Sequence, residues 1–269
     1  MSDEGPARSR GEGNEADVVL ASLRRRHSVR QFTPEPVSAR DEAAILDAAA
    51  QAPTAGNQQM YTILRITDQA VKERLAVLCD DQPFVARAPL VLVFCADYQK
   101  WYDAFLLAGR DVPGWAPRDP GEGELMLAVQ DTLIAAQNAV VAAEALGLGS
   151  CYIGDILEHL EEVKPLLGLP DLVVPATLLV IGHPTEQQRR RSKPGRCPQE
   201  LMVADNRYRR LGEEELRALW AERAGRHTWS EWMRGFCARK YESDFSRAMT
   251  RSVRAYAHLF TTYGERRRT

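Results

Sequence analysis

Residues 26–30, Arg-His-Ser-Val-Arg, combine cationic and hydroxyl side chains at a spacing suited to binding an anion. In an extended segment successive side chains point to opposite sides, so Arg26, Ser28 and Arg30 would project to one side together. Two guanidinium groups and one hydroxyl on the same side suit a phosphate dianion. The segment therefore predicts a phosphate site, with a basic helix end whose arginine heads lie in water as the alternative.

Three further segments carry groups that would bind a ligand. The stretch "RRRSKPGR" places Lys193 and Arg196 beyond a predicted strand, with a solvated basic loop as the alternative. The stretch "APTAGNQQ" (52–59) offers hydroxyl and amide groups on a turn. In "CYIGD" (151–155), Gly154 would let the backbone approach a flat ligand closely.

Several common catalytic and cofactor-binding motifs do not occur in the sequence. The stretch "GLGSCY" begins like a dinucleotide fingerprint, but Tyr152 stands where the third glycine is required and a helix precedes it. No P-loop, G-x-S-x-G or H-E-x-x-H pattern is present. The five cysteines form no C-x-x-C pair and the five histidines lack metal-ligand spacing. We therefore expect a reduced, cytoplasmic protein without a structural metal.

The elements that would position these groups mix strands and helices without a regular βαβ order. Short strands are predicted over "YTILRIT", "LVLVFCA", "SCYIG" and "PATLLVIG". The helix predicted over 125–146 is apolar around most of its circumference, apart from a polar stripe at Gln130, Gln137 and Glu144. It would be buried as the spine of the core, with contact to a second subunit as the alternative for part of its surface. It carries too many polar groups for a membrane span. The pattern favours an α+β fold with one central sheet.

Local capping signals predict where several helices begin. Ser38 and Asp68 each precede a helical pattern, and Thr228 forms a capping box with Glu231. Asp155, followed by Glu158 three residues on, predicts another helix start.

Composition and charge limit the domain organisation and the partners. The chain has 269 residues and a formal net charge of −2, which does not indicate a nucleic-acid or membrane partner. Residues 1–15 have almost nothing to bury, and we expect them to form a disordered tail. We expect residues 16–210 to form the core and residues 211–269 a helical extension that packs on the core or on a partner subunit.

Taken together and in this order, these segments resemble the FMN-dependent nitroreductase family. The resemblance is strongest to its NADPH-using branch of oxygen-insensitive nitroreductases and flavin reductases. It runs from Ala16 to Tyr263 and is carried by "RHSVRQFTPEPVS", "APTAGNQQ", "FCADY", "AAQNAVVAAEALGLGSCYIGDI", "LPDLVVPATLLVIGHP" and "HTWSEW". It implies a nitroreductase-like α+β fold: a mainly antiparallel central sheet flanked by helices, a long buried central helix, and an intertwined homodimer.

The resemblance implies FMN-binding residues by position. The phosphate and ribityl contacts fall at Arg26, Ser28 and Arg30, and Lys193 and Arg196 are implied to close on the phosphate from the C-terminal side. By the same resemblance, Gln82 is the amide that reads the pyrimidine edge of the flavin, and the backbone beside flavin N5 is at Tyr152, Ile153 and Gly154. The loop that reaches the flavin from the partner subunit is implied at Thr54, Ala55, Gly56 and Asn57. The basic segment that favours the 2′-phosphate of NADPH is implied at Arg223 and Arg226.

The sequence departs from the family pattern at three places. Residues 193–196 read Lys-Pro-Gly-Arg, one residue longer than the usual K-P-R, which bears on the role of Arg196. The Pro- and Gly-rich loop at 109–123 is long for this branch and bears on the substrate range. His27, within the implied cofactor-binding segment, stands where relatives often carry Arg; we expect it to flank the site without acting as a base.

The function implied is an NAD(P)H-dependent FMN oxidoreductase. NADPH, with NADH as the alternative, would pass a hydride to the flavin and leave. A nitroaromatic, quinone or similar planar small molecule would then be reduced in the same pocket. Flavin N5 would carry the chemistry, so no catalytic side chain is expected. Two alternatives stay open: a flavin reductase or specialised biosynthetic oxidoreductase on the same scaffold, and a flavin-binding protein without turnover.

Overall fold

The computed structural model describes residues 13–268. The tail predicted at residues 1–15 lies almost wholly outside this range. Within it, four strands form one antiparallel sheet in the order β1-β2-β4-β3, which confirms the predicted α+β class. Their bounds are β1 Tyr61–Arg65, β2 Leu90–Asp97, β3 Gly149–Ile153 and β4 Val173–Gly182.

Helices cover both faces of this sheet and form the C-terminal part of the described chain. The helices up to the end of the sheet are α1 Gly13–Arg25, α2 Ala39–Ala50, α3 Gln69–Leu78, α4 Pro83–Arg87, α5 Gln99–Ala108, α6 Glu122–Ala145 and α7 Leu160–Leu167. Those after it are α8 Glu186–Arg189, α9 Gln199–Met202, α10 Glu213–Ala224, α11 Trp229–Lys240, α12 Asp244–Thr261 and α13 Tyr263–Arg268. Two 3₁₀ turns, Ala55–Asn57 and Gly154–Leu157, complete the regular structure of the described residues.

Three of the predicted helix starts are confirmed. The Ser38 hydroxyl accepts the Asp41 N–H at 3.0 Å and begins α2. Asp68 caps α3 by the same kind of bond, and Thr228 begins α11 with a reciprocal bond from Glu231. In each case the cap lies within three residues of its partner, so local sequence is sufficient to specify it.

The helix start predicted at Asp155 is wrong. Residues 154–157 form a 3₁₀ turn, and α7 begins only at Leu160, after His159. The Asp155 carboxylate accepts a hydrogen bond from Gln82 Nε2 at 3.1 Å and does not cap the following turn. A tertiary partner therefore outcompetes the local cap.

The core forms on both faces of the two central strands. Alternate residues of β2 divide between the faces, with Val93 among those facing α3, α4 and α7, and Phe94 among those facing α2 and α6. Both side chains are fully buried. This near-continuous apolar run is expected for a strand covered on both sides.

The predicted central helix is α6, which packs against β2 and α2. By length and composition it is apolar enough to cross a membrane, with a mean hydropathy of 1.4. Its inner face nevertheless buries Asp131 and Thr132 among alanines packed on the sheet. On its outer side Met126 and Ile134 are 57% and 41% exposed, so the helix is not buried all round.

The C-terminal helices pack against the core chiefly through α12. Tyr256 and Phe260 are buried, and the hydroxyl of Ser252 accepts the Leu160 N–H at 3.0 Å where α7 begins. The connection between α5 and α6 runs over residues 109–121. Its Asp119 accepts the Tyr102 hydroxyl at 2.8 Å, which ties this long loop to α5.

Candidate functional site

The segment at residues 26–30 lies in extended form along the free edge of β3. Ser28 pairs with Ser150 as a parallel bridge, and the Val29 N–H donates to Ser150 O at 2.9 Å. A side chain at position 149 would prevent this approach, because a Cβ on Gly149 would lie 2.6 Å from a methyl carbon of buried Val29. Glycine at this position therefore allows the segment to dock beside the strand.

Side chains of this segment alternate between two sides, as its spacing predicts. On one side, Arg26, Ser28 and Arg30 lie around Cys151, where the two arginines and the Ser28 hydroxyl oppose the rise in the pKa of the thiol that burial causes. On the other side, His27 Nε2 lies 2.9 Å from Gln188 O. His27 is thus held by a backbone carbonyl on the side away from the arginines, and the structure does not bring it to them.

Lys193 joins this group from the C-terminal side. Its Nζ donates to Leu23 O and Arg24 O at 3.0 and 2.9 Å, the carbonyls at the end of α1. Desolvation lowers the pKa of Lys193, and the neighbouring charges of Arg196 and Arg26 lower it further. Lys193 is therefore close enough to Arg26 and to Arg196 to be repelled by both.

We call the set Arg26, Ser28, Arg30, Lys193 and Arg196 the cationic cluster. Across residues 13–268, no carboxylate forms an ion pair with any of its three arginines. Glu144 offsets part of the charge of Lys193, but the cluster keeps an excess of like charges, which is unfavourable until an anion neutralises them. The cluster therefore has the charge and the donors that a phosphate dianion requires.

The end of β3 leads from the cationic cluster to Gln82. Tyr152 is half-buried with its hydroxyl donating to Gln137 Oε1 at 3.3 Å, and Ile153 is buried. Gly154 is exposed, and a Cβ added there would meet no atom within 4 Å. Since Gln82 Nε2 donates to Asp155, one continuous strip of chain joins these groups to the cluster.

The Thr54–Asn57 loop lies at the opposite side of the sheet. It precedes β1, which is one edge strand, whereas the cationic cluster lies along β3, the other edge. The Ala55 and Met60 N–H groups donate to the two carboxylate oxygens of Asp131 at 2.9 and 3.3 Å. Gly56 and Asn57 both adopt positive φ, of 56° and 57°. Within one chain the structure does not bring this loop to the cationic cluster.

The two arginines predicted to favour NADPH differ in their surroundings. The Arg223 guanidinium lies 4.8 Å from the centre of the Trp220 ring, and both residues line a cavity of about 250 Å³ that Arg196 also lines. Arg226 is exposed in the turn after α10, where Gly225 takes a φ of 58°. The structure therefore places Arg223, but not Arg226, beside a member of the cationic cluster.

Three residues that hold these groups in place were not predicted as site residues. Asp155 binds Gln82, Asp131 binds the Thr54–Asn57 loop, and buried Gln188 accepts the Arg30 N–H at 3.2 Å through its Oε1. Each contact joins residues more than 70 positions apart, so no local pattern reveals it. Asp131 alone had a signal in the sequence, because it is an acidic residue on a helix whose other buried residues are mostly alanines.

Burial raises the pKa of two titratable groups near the site, Cys79 and Glu158. Burial raises the pKa of the Cys79 thiol to about 12, with Asp155 and Glu158 adding to the shift. Burial also raises the pKa of Glu158, opposed by His159 and reinforced by Asp155 and Asp80. A buried thiol with a raised pKa is a poor nucleophile, so Cys79 has no evident part in the chemistry.

Comparison with known proteins identifies the scaffold. The model of the nitroreductase family matches residues 23–183, which span β1 to β4 and the segment at residues 26–30. The chain belongs to the nitroreductase family.

Relatives of known activity and a solved structure agree with this family. An oxygen-insensitive NADPH nitroreductase of Salmonella typhimurium is 38% identical over 77% of this chain and 85% of its own length. An NAD(P)H-dependent FMN reductase of Bacillus subtilis is 34% identical over 74% of this chain and 76% of its own. The NADPH:FMN oxidoreductase of Vibrio harveyi, solved with NAD⁺, superposes with a TM-score of 0.73 at 25% identity over 89% of this chain and 97% of its own. The nitroreductase-like fold predicted for the single chain is confirmed, and these homologues are nicotinamide-dependent flavin or nitro reductases.

Proposed function

We propose that this nitroreductase-family protein is an FMN-dependent NAD(P)H oxidoreductase that reduces nitroaromatic, quinone or similar planar small molecules. The observation that carries the proposal is the cationic cluster, whose arginines have no carboxylate partner across residues 13–268. A terminal phosphate is the ligand group that such a cluster fits. The names of the relatives, which include FMN reductases, supply the rest of the ligand.

The residues present fit FMN on their own chemistry. Ser28, Arg26 and Arg30 share one side of the extended segment, and Lys193 and Arg196 approach from another part of the chain. A flat ring beyond the phosphate would meet the open backbone at Gly154, where nothing fills the space of a side chain. Charge-assisted bonds to phosphate contribute about 1.5–3 kcal/mol each before desolvation is subtracted, so four would retain FMN without a covalent link.

The protein would bind, orient and shield, since bound FMN supplies the hydride-transfer chemistry. The cationic cluster would neutralise the phosphate and fix one end of the cofactor, and Gln82 would fix the other. The backbone at residues 152–154 would line one side of the ring. No side chain in this strip is placed as a nucleophile, because the nearest thiols are buried with raised pKa values.

We also propose that the protein is a cytoplasmic homodimer in which the Thr54–Asn57 loop of one subunit reaches the FMN of the other. The outer side of α6 exposes Met126, Leu127, Leu133 and Ile134, at 41–57% of their surface. An apolar face of this kind on a soluble protein marks an interaction surface. A twofold axis that passes beside the outer side of α6 would bring the sheet edge with the Thr54–Asn57 loop of one subunit toward the sheet edge with the cationic cluster of the other.

Anaerobic mixing of the FMN-loaded protein with NADPH tests this function. We expect the flavin absorbance at about 450 nm to bleach within seconds and to return when a nitroaromatic or quinone is added. A panel of acceptors in steady-state turnover would then rank the substrates. A yellow protein that NADPH does not bleach would be a flavin-binding protein without turnover. A protein that takes up no FMN would refute the proposal.

A further inference from the structure

Gln82 is held so that its amide can act only as a hydrogen-bond acceptor toward a ligand. Its Nε2 donates to Cys79 O at 2.7 Å and to Asp155 Oδ2 at 3.1 Å. A primary amide nitrogen has two N–H donors, so both are used. Both partners are oxygen acceptors, which fixes the orientation of the amide. Its Oε1 has no donor among the residues that the structure describes.

The backbone on each side of this contact is also fixed. The Gln82 N–H donates to Ala76 O at 2.8 Å, and its carbonyl accepts the Val85 N–H at 3.0 Å. The two residues before it, Asp80 and Asp81, adopt φ values of 62° and 48°, a conformation that is strained for non-glycine residues. The strained turn and these two bonds leave the side-chain amide little freedom.

Asp155 is held as firmly. It lies in the 3₁₀ turn after β3, and its carbonyl accepts the Glu158 N–H at 2.9 Å. The next residue, Ile156, is fully buried and anchors the turn in the core. The bond between Asp155 and Gln82 therefore joins two fixed segments that lie 73 residues apart in sequence.

We propose that Asp155 is a positioning and specificity-determining residue: by taking one Gln82 N–H, it leaves Gln82 Oε1 as an acceptor for a ring N–H of the bound cofactor. This rests on the proposed function, because the pyrimidine ring of FMN has one such donor, the imide N3–H between two carbonyls. A ring edge with only acceptors at that position would face Oε1 without a donor, which leaves two acceptors unpaired and is unfavourable.

The test measures FMN affinity by flavin fluorescence in the full-length chain and five variants. Asp155→Ala leaves the Gln82 amide held only by its bond to Cys79 O, and we expect the Kd for FMN to rise about tenfold, the loss of one well-ordered bond. Asp155→Asn keeps an acceptor oxygen and should stay within about threefold of the wild type. Asp80→Asn is the matched control: it removes a neighbouring carboxylate that does not contact Gln82, and it should leave the Kd unchanged.

A double-mutant cycle separates positioning from a general structural effect. In a Gln82→Ala background, Asp155→Ala should change the Kd no further, because there is no amide to hold. The ¹⁵N shift of N3 in labelled FMN gives a second readout: it should move toward its value in water in Asp155→Ala and stay near the wild-type value in Asp155→Asn. If the alanine variant does not fold, Asp155→Ser enters the same cycle.

The outcomes distinguish a failure of this inference from a failure of the proposed function on which it rests. A wild-type chain that binds no FMN refutes the proposed function. A wild-type chain that binds FMN, with an unchanged Kd and N3 shift in Asp155→Ala, overturns the role of Asp155 alone. An equal loss of affinity from Asp155→Ala with and without Gln82 would also overturn it.

Discussion

The extended segment at residues 26–30 predicts that Arg30, which lies in it, and Arg25, which ends α1 just before it, differ sharply in their effect on FMN binding. Arg30 lies on the side of the cationic cluster, is exposed, and has no carboxylate partner across residues 13–268. Its backbone N–H stays bound to Gln188 Oε1 when the side chain is shortened. Arg30→Ala should therefore remove a ligand contact without disturbing the segment.

The size of the effect follows from the exposure of Arg30. A hydrogen bond to a charged group contributes about 1.5–3 kcal/mol, and an exposed guanidinium should give the lower end. A loss of about 1.5 kcal/mol raises the Kd for FMN about tenfold. Because solvent ions screen exposed charges, with a Debye length of about 8 Å at physiological ionic strength, the ratio between variant and wild type should fall in high salt.

Arg25→Ala is the matched control, because it removes the same charge from the end of α1, outside the cationic cluster. Arg25 is ion-paired with Glu144 at 3.4 Å and its side chain is 63% exposed, so the pair contributes about 0–1 kcal/mol at most. Titration of each apoprotein with FMN, followed by flavin fluorescence, should show a change of less than about twofold for Arg25→Ala. Equal losses in both variants would show that bulk charge, and not the geometry of the segment, attracts the cofactor.

Three further predictions concern the nicotinamide, pH and the thiols. Arg223→Ala combined with Arg226→Ala should raise the KM for NADPH about tenfold, because a charge-assisted bond to the 2′-phosphate is lost, and should leave the KM for NADH nearly unchanged. Equal effects on both KM values would show that these residues do not recognise the 2′-phosphate. Burial raises the pKa of Glu158, so the stability that its protonated form provides is present below about pH 4.3 and is lost as pH rises through the folded-state pKa. Glu158→Gln should thus raise the free energy of unfolding more at pH 7 than at pH 4 in urea titrations, and the opposite order would contradict the shift. Of the five cysteines, only half-buried Cys197 and Cys237 should react quickly with a disulfide reagent in the folded protein, and a third fast thiol would be inconsistent with the structure.

The sequence predicts those features of the fold that depend on near neighbours. The helix starts at Ser38 and Thr228 hold because each cap bonds a residue three positions away. Arg26, Ser28 and Arg30 lie on one side because successive side chains of an extended chain point to opposite sides, whatever the chain packs against. Local geometry alone decides these features.

Long-range partners decide the features that local patterns cannot predict. Asp155 has the spacing of a helix cap, yet its carboxylate binds Gln82 because folding brings the α3–α4 turn beside the end of β3. His27 stands in a basic run, yet its ring contacts Gln188 O on the opposite side. That the Thr54–Asn57 loop lies across the sheet from the cluster follows from the strand order, which no motif encodes.

A crystal structure of the protein with FMN tests the central claim most directly. We expect the phosphate oxygens within hydrogen-bonding distance of the Ser28 hydroxyl and the Arg30 guanidinium, with the Lys193 ammonium nearby and the ring extending past Gly154 toward Gln82. A phosphate bound elsewhere, with these side chains in contact only with water, would contradict the account.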